Sequence, residues 1–324
     1  SITDLSQSEF DKKISKKFNS QISIAFSLAY LKLLAHKNGF TEKEIFKYIS
    51  QKYKKRLSSP QIICNVLNGG KHTYNDLAFC EFMIIPRGTH TEQNIQIASE
   101  VYLDLKSIIK NELGENHLFL GREGGFSPFI SDVEDAISLL NKAINKSNKG
   151  KCSIAIDVAA NNFTEQNNKN HFEYVVNGKV YTTNALVEYY FYLINKYPTI
   201  KYIEDPLHEN DIRGWKILFN RLGKKILIVA DDLTVSKMFN LKKFKKCFNT
   251  CVLKINQSGN FTELIKAYNY CVKNNIKTVI SQRSGETDSN IISHIATGLG
   301  SHYLKAGAPA RERIIKYNEL LRIT

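Results

Sequence analysis

The chain has 324 residues, 43% hydrophobic and 23% charged, with 45 Lys and Arg against 31 Asp and Glu. This suits a soluble globular protein of one large or two unequal domains, and no apolar run approaches the ~20 residues that span a bilayer. The formal charge of +14 would steer an anionic substrate. The basic runs Lys52-Tyr-Lys54-Lys55-Arg56 and Lys242-Lys243-Phe-Lys245-Lys246 carry no accompanying binding motif, so nucleic acid is not an expected partner. The start Ser1-Ile-Thr-Asp-Leu5 lacks the pattern of a secretory signal. Six cysteines without a C-x-x-C pair read as buried free thiols. A cytoplasmic protein with no membrane span is the expectation.

Residues 1 to about 60 read as helical. Asn19 or Ser20 caps a helix through about His36, and Thr41-Glu-Lys-Glu44 is a capping box opening a second helix toward Lys55. Ser58-Ser59-Pro60 breaks that pattern. Strands are then expected at Ile62–Asn65 and Leu77–Ile85, flanking the loop Asn68-Gly-Gly-Lys-His72. A helix follows over about Thr91–Glu112, then the glycine-rich loop Gly121–Phe126 and a helix opened by the capping box Ser131-Asp-Val-Glu134. Asn177-Gly178 is a hairpin turn, an excursion from the main sheet. Helices are predicted at about 183–196, 213–222, 236–247, 261–274, 287–299 and 311–321.

Between these helices lie six short apolar runs, each ending at a polar or charged residue. They are Ser153–Asp157, Ile200–Asp205, Ile226–Asp232, Val252–Lys254, Thr278–Arg283 and Tyr303–Lys305. Buried parallel strands alternating with helices close into a (β/α) barrel, where polar residues at the carboxyl ends of strands carry catalysis. Asp157, Glu204 and Asp231 would then project into one mouth, with Lys254 and Lys305 on later strands. Three converging carboxylates call for a hard divalent cation such as Mg²⁺. Asp232, beside Asp231, reads as an ordinary loop residue.

From about Asn65 to Ile323 the chain resembles enolase. The resemblance is carried by Asn65-Val-Leu-Asn-Gly-Gly-Lys-His72, Glu81-Phe-Met83, Gly124-Gly-Phe-Ser-Pro128, Ile203-Glu-Asp-Pro206, Ala230-Asp-Asp-Leu-Thr234, Leu253-Lys-Ile-Asn-Gln257, Ser281-Gln-Arg-Ser-Gly-Glu-Thr287 and Leu304-Lys-Ala-Gly-Ala-Pro309. It implies an α/β fold, an enolase-type TIM (β/α)8 barrel over residues 61–324, behind a truncated, mainly helical capping domain over residues 1–60. It also implies Mg²⁺-dependent dehydration of 2-phosphoglycerate to phosphoenolpyruvate. By the same resemblance Lys254 would be the base, Glu123 the acid that protonates the departing hydroxyl, and Glu81 an assisting carboxylate. Asp157, Glu204 and Asp231 would hold the metal, Lys305 the substrate carboxylate, and Arg283 and Ser284 the phosphate. His72 and Gln282 would line the pocket.

The sequence departs from the family at several of these places. Gln282 stands where enolases have a histidine, and an amide hydrogen-bonds but carries no proton. Arg122 replaces an acidic residue beside Glu123; turned inward, its charge would favour the ionised acid. Cys80 replaces an amide beside Glu81. No counterpart of the family's mobile serine-containing lid precedes Ser1, so a homodimer or a partner supplying the lid is a further expectation. The alternative reading is a catalytically impaired enolase-derived protein kept for a binding or structural role.

Overall fold

The structure, a computed structural model, describes residues 4–70, 73, 75–148, 151–166 and 171–324. Three helices come first, α1 (Gln7–Ile14), α2 (Ser20–Lys37) and α3 (Ile45–Tyr53). The barrel opens with β1 (Gln61–Asn68) and β2 (Glu81–Pro86), followed by α4 (Thr91–Leu113), α5 (Val133–Asn148) and β3 (Cys152–Asp157). A small sheet comes next, β4 (Thr164–Gln166), β5 (Phe172–Val176) and β6 (Lys179–Thr182), leading into α6 (Thr183–Lys196). The alternation continues with β7 (Ile200–Glu204), α7 (Ile212–Leu222), β8 (Leu227–Ala230), α8 (Met238–Lys243) and β9 (Thr250–Leu253). After α9 (Ile255–Ser258) and α10 (Phe261–Lys273) come β10 (Lys277–Ser281), α11 (Ile291–Leu299), β11 (Tyr303–Lys305) and α12 (Ile314–Ile323).

Eight of these strands close a barrel in the order β1-β11-β10-β9-β8-β7-β3-β2. β2 runs antiparallel to both neighbours, and the remaining pairings are parallel. Ile63, Met83, Ala155, Tyr202, Val229, Val252 and Val279 fill the interior. A larger apolar core lies between the strands and the helices and continues into α1, α2 and α3. Polar contacts tie those first helices to the outside of the barrel. The Asp11 carboxylate accepts from the Thr262 amide at 2.9 Å and hydroxyl at 2.6 Å, and the Ser27 hydroxyl accepts from the Phe261 amide. All six cysteines are free and buried. Among the described residues no helix is long and apolar enough to cross a membrane.

Local signals explain most element ends. Asn19 caps α2 through the Ile22 amide, and the Thr41–Glu44 capping box forms as read. Asn177 and Gly178 both adopt positive φ, the geometry a two-residue hairpin turn demands. Several starts differ from the sequence reading, β2 opening at Glu81 rather than Leu77 and α12 at Ile314 rather than about 311. At α5 the capping oxygen belongs to Asp132, which accepts from the Glu134 amide at 2.8 Å. α8 begins later, at Met238, because Val235 and Ser236 adopt positive φ, which a right-handed helix cannot include. α11 begins at Ile291, after the Thr287 hydroxyl has taken the Ser289 amide.

Asp211 joins the small sheet to the barrel layer. One oxygen caps α7 through the Gly214 amide at 2.9 Å, while the other accepts from the hydroxyls of Tyr174 at 2.9 Å and Thr183 at 2.6 Å. Asp211→Ala removes the cap and strands a buried tyrosine hydroxyl. The expected cost is about 2–4 kcal/mol, read as a lower urea midpoint, with Asp211→Asn losing less.

Candidate active site

The parallel strands bring their carboxyl ends to one mouth, and β2, running the other way, brings its first residue there. Glu81 therefore pairs in register with Asp157, and Asp157 with Glu204. Into this row reaches Lys305 from the end of β11. Its Nζ lies 2.9 Å from Glu81 Oε2, 3.0 Å from Asp157 Oδ2 and 2.9 Å from Glu204 Oε1. All four residues are nearly inaccessible to solvent. Tyr202, two residues before Glu204 on the same face of β7, donates its hydroxyl to Glu204 Oε2 at 2.5 Å.

The next two strand ends supply a second group. Lys254 forms an ion pair with Asp231, whose other oxygen accepts from Gln257 Nε2 at 2.9 Å. Ser236 steadies the lysine's own backbone, accepting from its amide at 2.9 Å.

Electrostatics follow from burial and these pairings. Burial pushes Asp157 up to about 6, with Lys305 opposing and the Glu81 and Asp231 charges reinforcing the rise. Burial likewise raises Glu81 and Glu204, whose carboxylate neighbours add to the effect. Asp231 goes the other way. Burial works against its charge, but Lys254, Lys305 and the Gln257 amide outweigh it. For Lys254, burial and Lys305 favour the neutral amine, yet Asp231 and Glu204 hold it above the ordinary lysine value. Lys305 is also held well above the ordinary lysine value, its three carboxylates overcoming burial. The depressed lysine base expected from the sequence thus requires Asp231 to be engaged by something other than Lys254.

A divalent cation meets that requirement. Glu81, Asp157, Glu204 and Asp231 are four carboxylates set against two ammonium groups, Lys305 and Lys254. The donors are all hard oxygens, the set that Mg²⁺ takes. Asp205, Asp231 and Asp232 also place one carboxylate oxygen each within 4.8 Å of one another. Asp205 is less suited to a metal. Its two oxygens accept from the Asp231 amide at 3.0 Å and the Asp232 amide at 2.8 Å, which makes it a brace for the end of β8. Both oxygens of Glu204 and Asp231 and Asp157 Oδ2 are engaged by side chains, which a cation can replace, while Asp157 Oδ1 accepts from the Ala159 amide at 3.1 Å.

On the other side of the mouth Glu123 is buried on its glycine-rich loop. Its Oε2 accepts from Gln282 Nε2 at 2.9 Å and from Asn65 Nδ2 at 3.5 Å. Gln282 thus reaches the acid, a contact its reading as a pocket-lining residue did not include. Gly307 makes room behind them at φ 81°, where a Cβ would fall 2.9 Å from Gln282 Nε2 and 3.0 Å from the Glu123 carbonyl. Arg122 is exposed, so its guanidinium does not turn inward upon Glu123. Cys80 is buried and its sulfur accepts from Asn162 Nδ2 at 3.2 Å.

Arg283 and Ser284 lie exposed on the loop after β10. That loop borders a cavity of about 1060 Å³ whose opposite wall includes Leu28 and Ala29 of α2. Buried Arg313 holds the loop from beneath, donating to the carbonyls of Arg283 at 3.0 Å and Ser284 at 2.7 Å. The same guanidinium donates to the Arg122 carbonyl at 3.3 Å, tying this loop to the one that carries Glu123. Buried Lys316 donates to the Thr287 carbonyl. His72 lies outside the described residues. Sequence reasoning missed Arg313, Lys316, Asn65, Asp205 and Tyr202. Only the Tyr202-x-Glu204 spacing, two residues on one strand face, offered a signal.

The family model described as "Enolase, C-terminal TIM barrel domain" matches residues 56–324. Enolase of Sulfurisphaera tokodaii is 38% identical over 306 residues, covering 93% of this chain and 71% of that protein. Enolase of Methanocaldococcus jannaschii is 39% identical over 269 residues, covering 82% of this chain and 62% of that protein. Enolase of Ehrlichia ruminantium is 38% identical over 307 residues, covering 93% and 70%.

The geometry around Lys305 makes a stability prediction. Lys305→Met keeps the volume but leaves three buried carboxylates facing one another, at a cost of about 3–5 kcal/mol. Those carboxylates then bind protons more readily folded than unfolded, so the variant's deficit shrinks as pH falls from neutral toward about 5. Urea unfolding across that range, beside wild type, is the measurement.

Proposed function

The chain belongs to the enolase family, and from that premise we propose that it is a Mg²⁺-dependent hydro-lyase dehydrating 2-phosphoglycerate to phosphoenolpyruvate. One observation carries the reading. Asp157, Glu204, Asp231, Lys254 and Lys305 stand at the ends of β3, β7, β8, β9 and β11 and gather at a single barrel mouth.

The chemistry follows from what each group can do. Removing the proton α to a carboxylate doubles the charge on that carboxylate, so the site must gather positive charge around it. Asp157, Glu204 and Asp231 would hold Mg²⁺, which supplies that charge and acidifies the α-proton. Lys254, released from Asp231 and set beside Lys305, loses its reason to stay protonated and takes the α-proton. Lys305 retains its charge and binds the substrate carboxylate. Glu123 gives a proton to the departing hydroxyl, which leaves as water, with Glu81 assisting. Both described donors to Glu123 converge on Oε2, so Oε1 is the oxygen open to carry that proton. Arg283 and Ser284 offer the phosphate a guanidinium fork and a hydroxyl, and His72 completes the pocket.

A second reading, a family member of reduced or lost turnover kept for binding or structure, draws on Gln282. An amide orients Glu123 but cannot exchange protons with it. Phosphoenolpyruvate formation from 2-phosphoglycerate in excess Mg²⁺, followed by its ultraviolet absorbance, separates the two. The enzyme reading expects a steady rate that falls about 10²–10⁴-fold in Lys254→Ala. A wild-type rate no different from Lys254→Ala overturns it. Recovery of turnover in Gln282→His alone is the outcome the second reading expects.

A further inference from the structure

The opposite end of the barrel from the mouth carries its own concentration of charge. A cavity of about 490 Å³ opens at the base, lined by Arg87, Lys201, Lys224, Lys225 and Lys277, with Tyr303 at its edge. These cations come from separate places in the chain that the barrel gathers. Arg87 follows the end of reversed β2, Lys201 lies near the start of β7, Lys224 and Lys225 precede β8, and Lys277 opens β10. No carboxylate lines the cavity among the described residues.

Some exposed lysines elsewhere pair with acids, as Lys142 does with Glu112 and Lys196 with Glu134. Lys225 instead rests over the Phe191 ring at 4.9 Å, a contact that leaves its charge unneutralised. The potential is felt next door. His302, which precedes Tyr303, is held below the ordinary histidine value first by burial and then by the Lys277 charge. The apolar layer of Met83, Tyr202, Val229 and Val252 separates this cavity from the mouth.

We propose that the basal cavity binds a compact polyphosphate, either the di- or triphosphate group of a nucleotide or a free inorganic polyphosphate. Four lysines, Lys201, Lys224, Lys225 and Lys277, around so small a volume repel one another, and an anion among them relieves that repulsion. A single phosphate leaves most of these four lysines unmatched, whereas a linked run of phosphates brings several negative charges within reach of them. A nucleic-acid backbone would call for a stripe of cations along a groove; these form a ring at the base of a barrel.

The experiment is calorimetric titration of the full chain, at low salt and without added metal, with tripolyphosphate, ATP, orthophosphate and a single-stranded oligonucleotide. Tripolyphosphate is expected to bind well above orthophosphate and to weaken steeply with added salt. ATP tighter than tripolyphosphate identifies a nucleotide, equal affinity a free polyphosphate, and both support the site. Lys201→Glu with Lys277→Glu is expected to cost about tenfold or more in affinity. Lys242→Glu with Lys243→Glu, the same charge change on α8, is expected to cost less than about twofold. Circular dichroism of both pairs establishes that they fold. Absence of tripolyphosphate binding, equal losses in the two pairs, or oligonucleotide binding that tripolyphosphate does not displace each overturns the proposal. The site is independent of the catalytic reading. The Lys201→Glu/Lys277→Glu pair is expected to match wild type in the phosphoenolpyruvate assay, so either conclusion can fail alone.

Discussion

The buried ammonium of Lys305 is the constraint around which the mouth is organised. Three carboxylates from β2, β3 and β7 cannot share a space closed to water without a cation among them. That cation arrives from β11, separated from β2 by β1 and from β7 by half the ring. The ion pairs therefore exist only once the sheet has closed, and closure in turn is favoured only if the charges meet. The fold and the charged centre depend on each other, which a cluster drawn from one loop would not require.

The same interaction separates carboxylates that hold structure from those free to do chemistry. Asp205 and Asp211 are satisfied by backbone amides and hydroxyls, whose positions are fixed by the fold. Glu81 and Asp231 lean on lysine side chains, and Asp157 divides its oxygens between Lys305 and the Ala159 amide. Adjacent residues of one type thus fall into different roles. Asp205 and Asp231 both sit at strand ends, yet one is locked by amides and the other is held by groups that an incoming cation or substrate can replace.

The barrel was legible in the sequence because a buried parallel strand announces itself as a short apolar run with an abrupt polar end. Each of the six runs became a strand, and Asp157, Glu204 and Lys305 are final residues of theirs. The identity of each group's partner was not legible. Lys305 lies 148 residues along the chain from Asp157 and 101 from Glu204, and no local pattern encodes a contact at that separation. Gln282 is the sharper case. Sequence alone showed an amide in place of an imidazole; its bond to Glu123, 159 residues away, needed the fold. The late starts of α8 and α11 were lost for a different reason. Helical periodicity continues through residues whose backbone or side chains are already committed to neighbouring loops.

The reversed direction of β2 has a consequence of its own. Every other barrel strand enters from the base and delivers its last residue to the mouth. β2 starts with Glu81 at the mouth and ends beside Arg87 at the base. The loop before β2 therefore borders the mouth and the turn directly after it lies at the base, the inverse of the arrangement elsewhere in the ring, although the long connection from that turn to β3 returns to the mouth with Glu123. An insertion ahead of β2 would remodel the mouth, while one just after Pro86 would leave it alone. Ahead of any other strand, the two outcomes trade places.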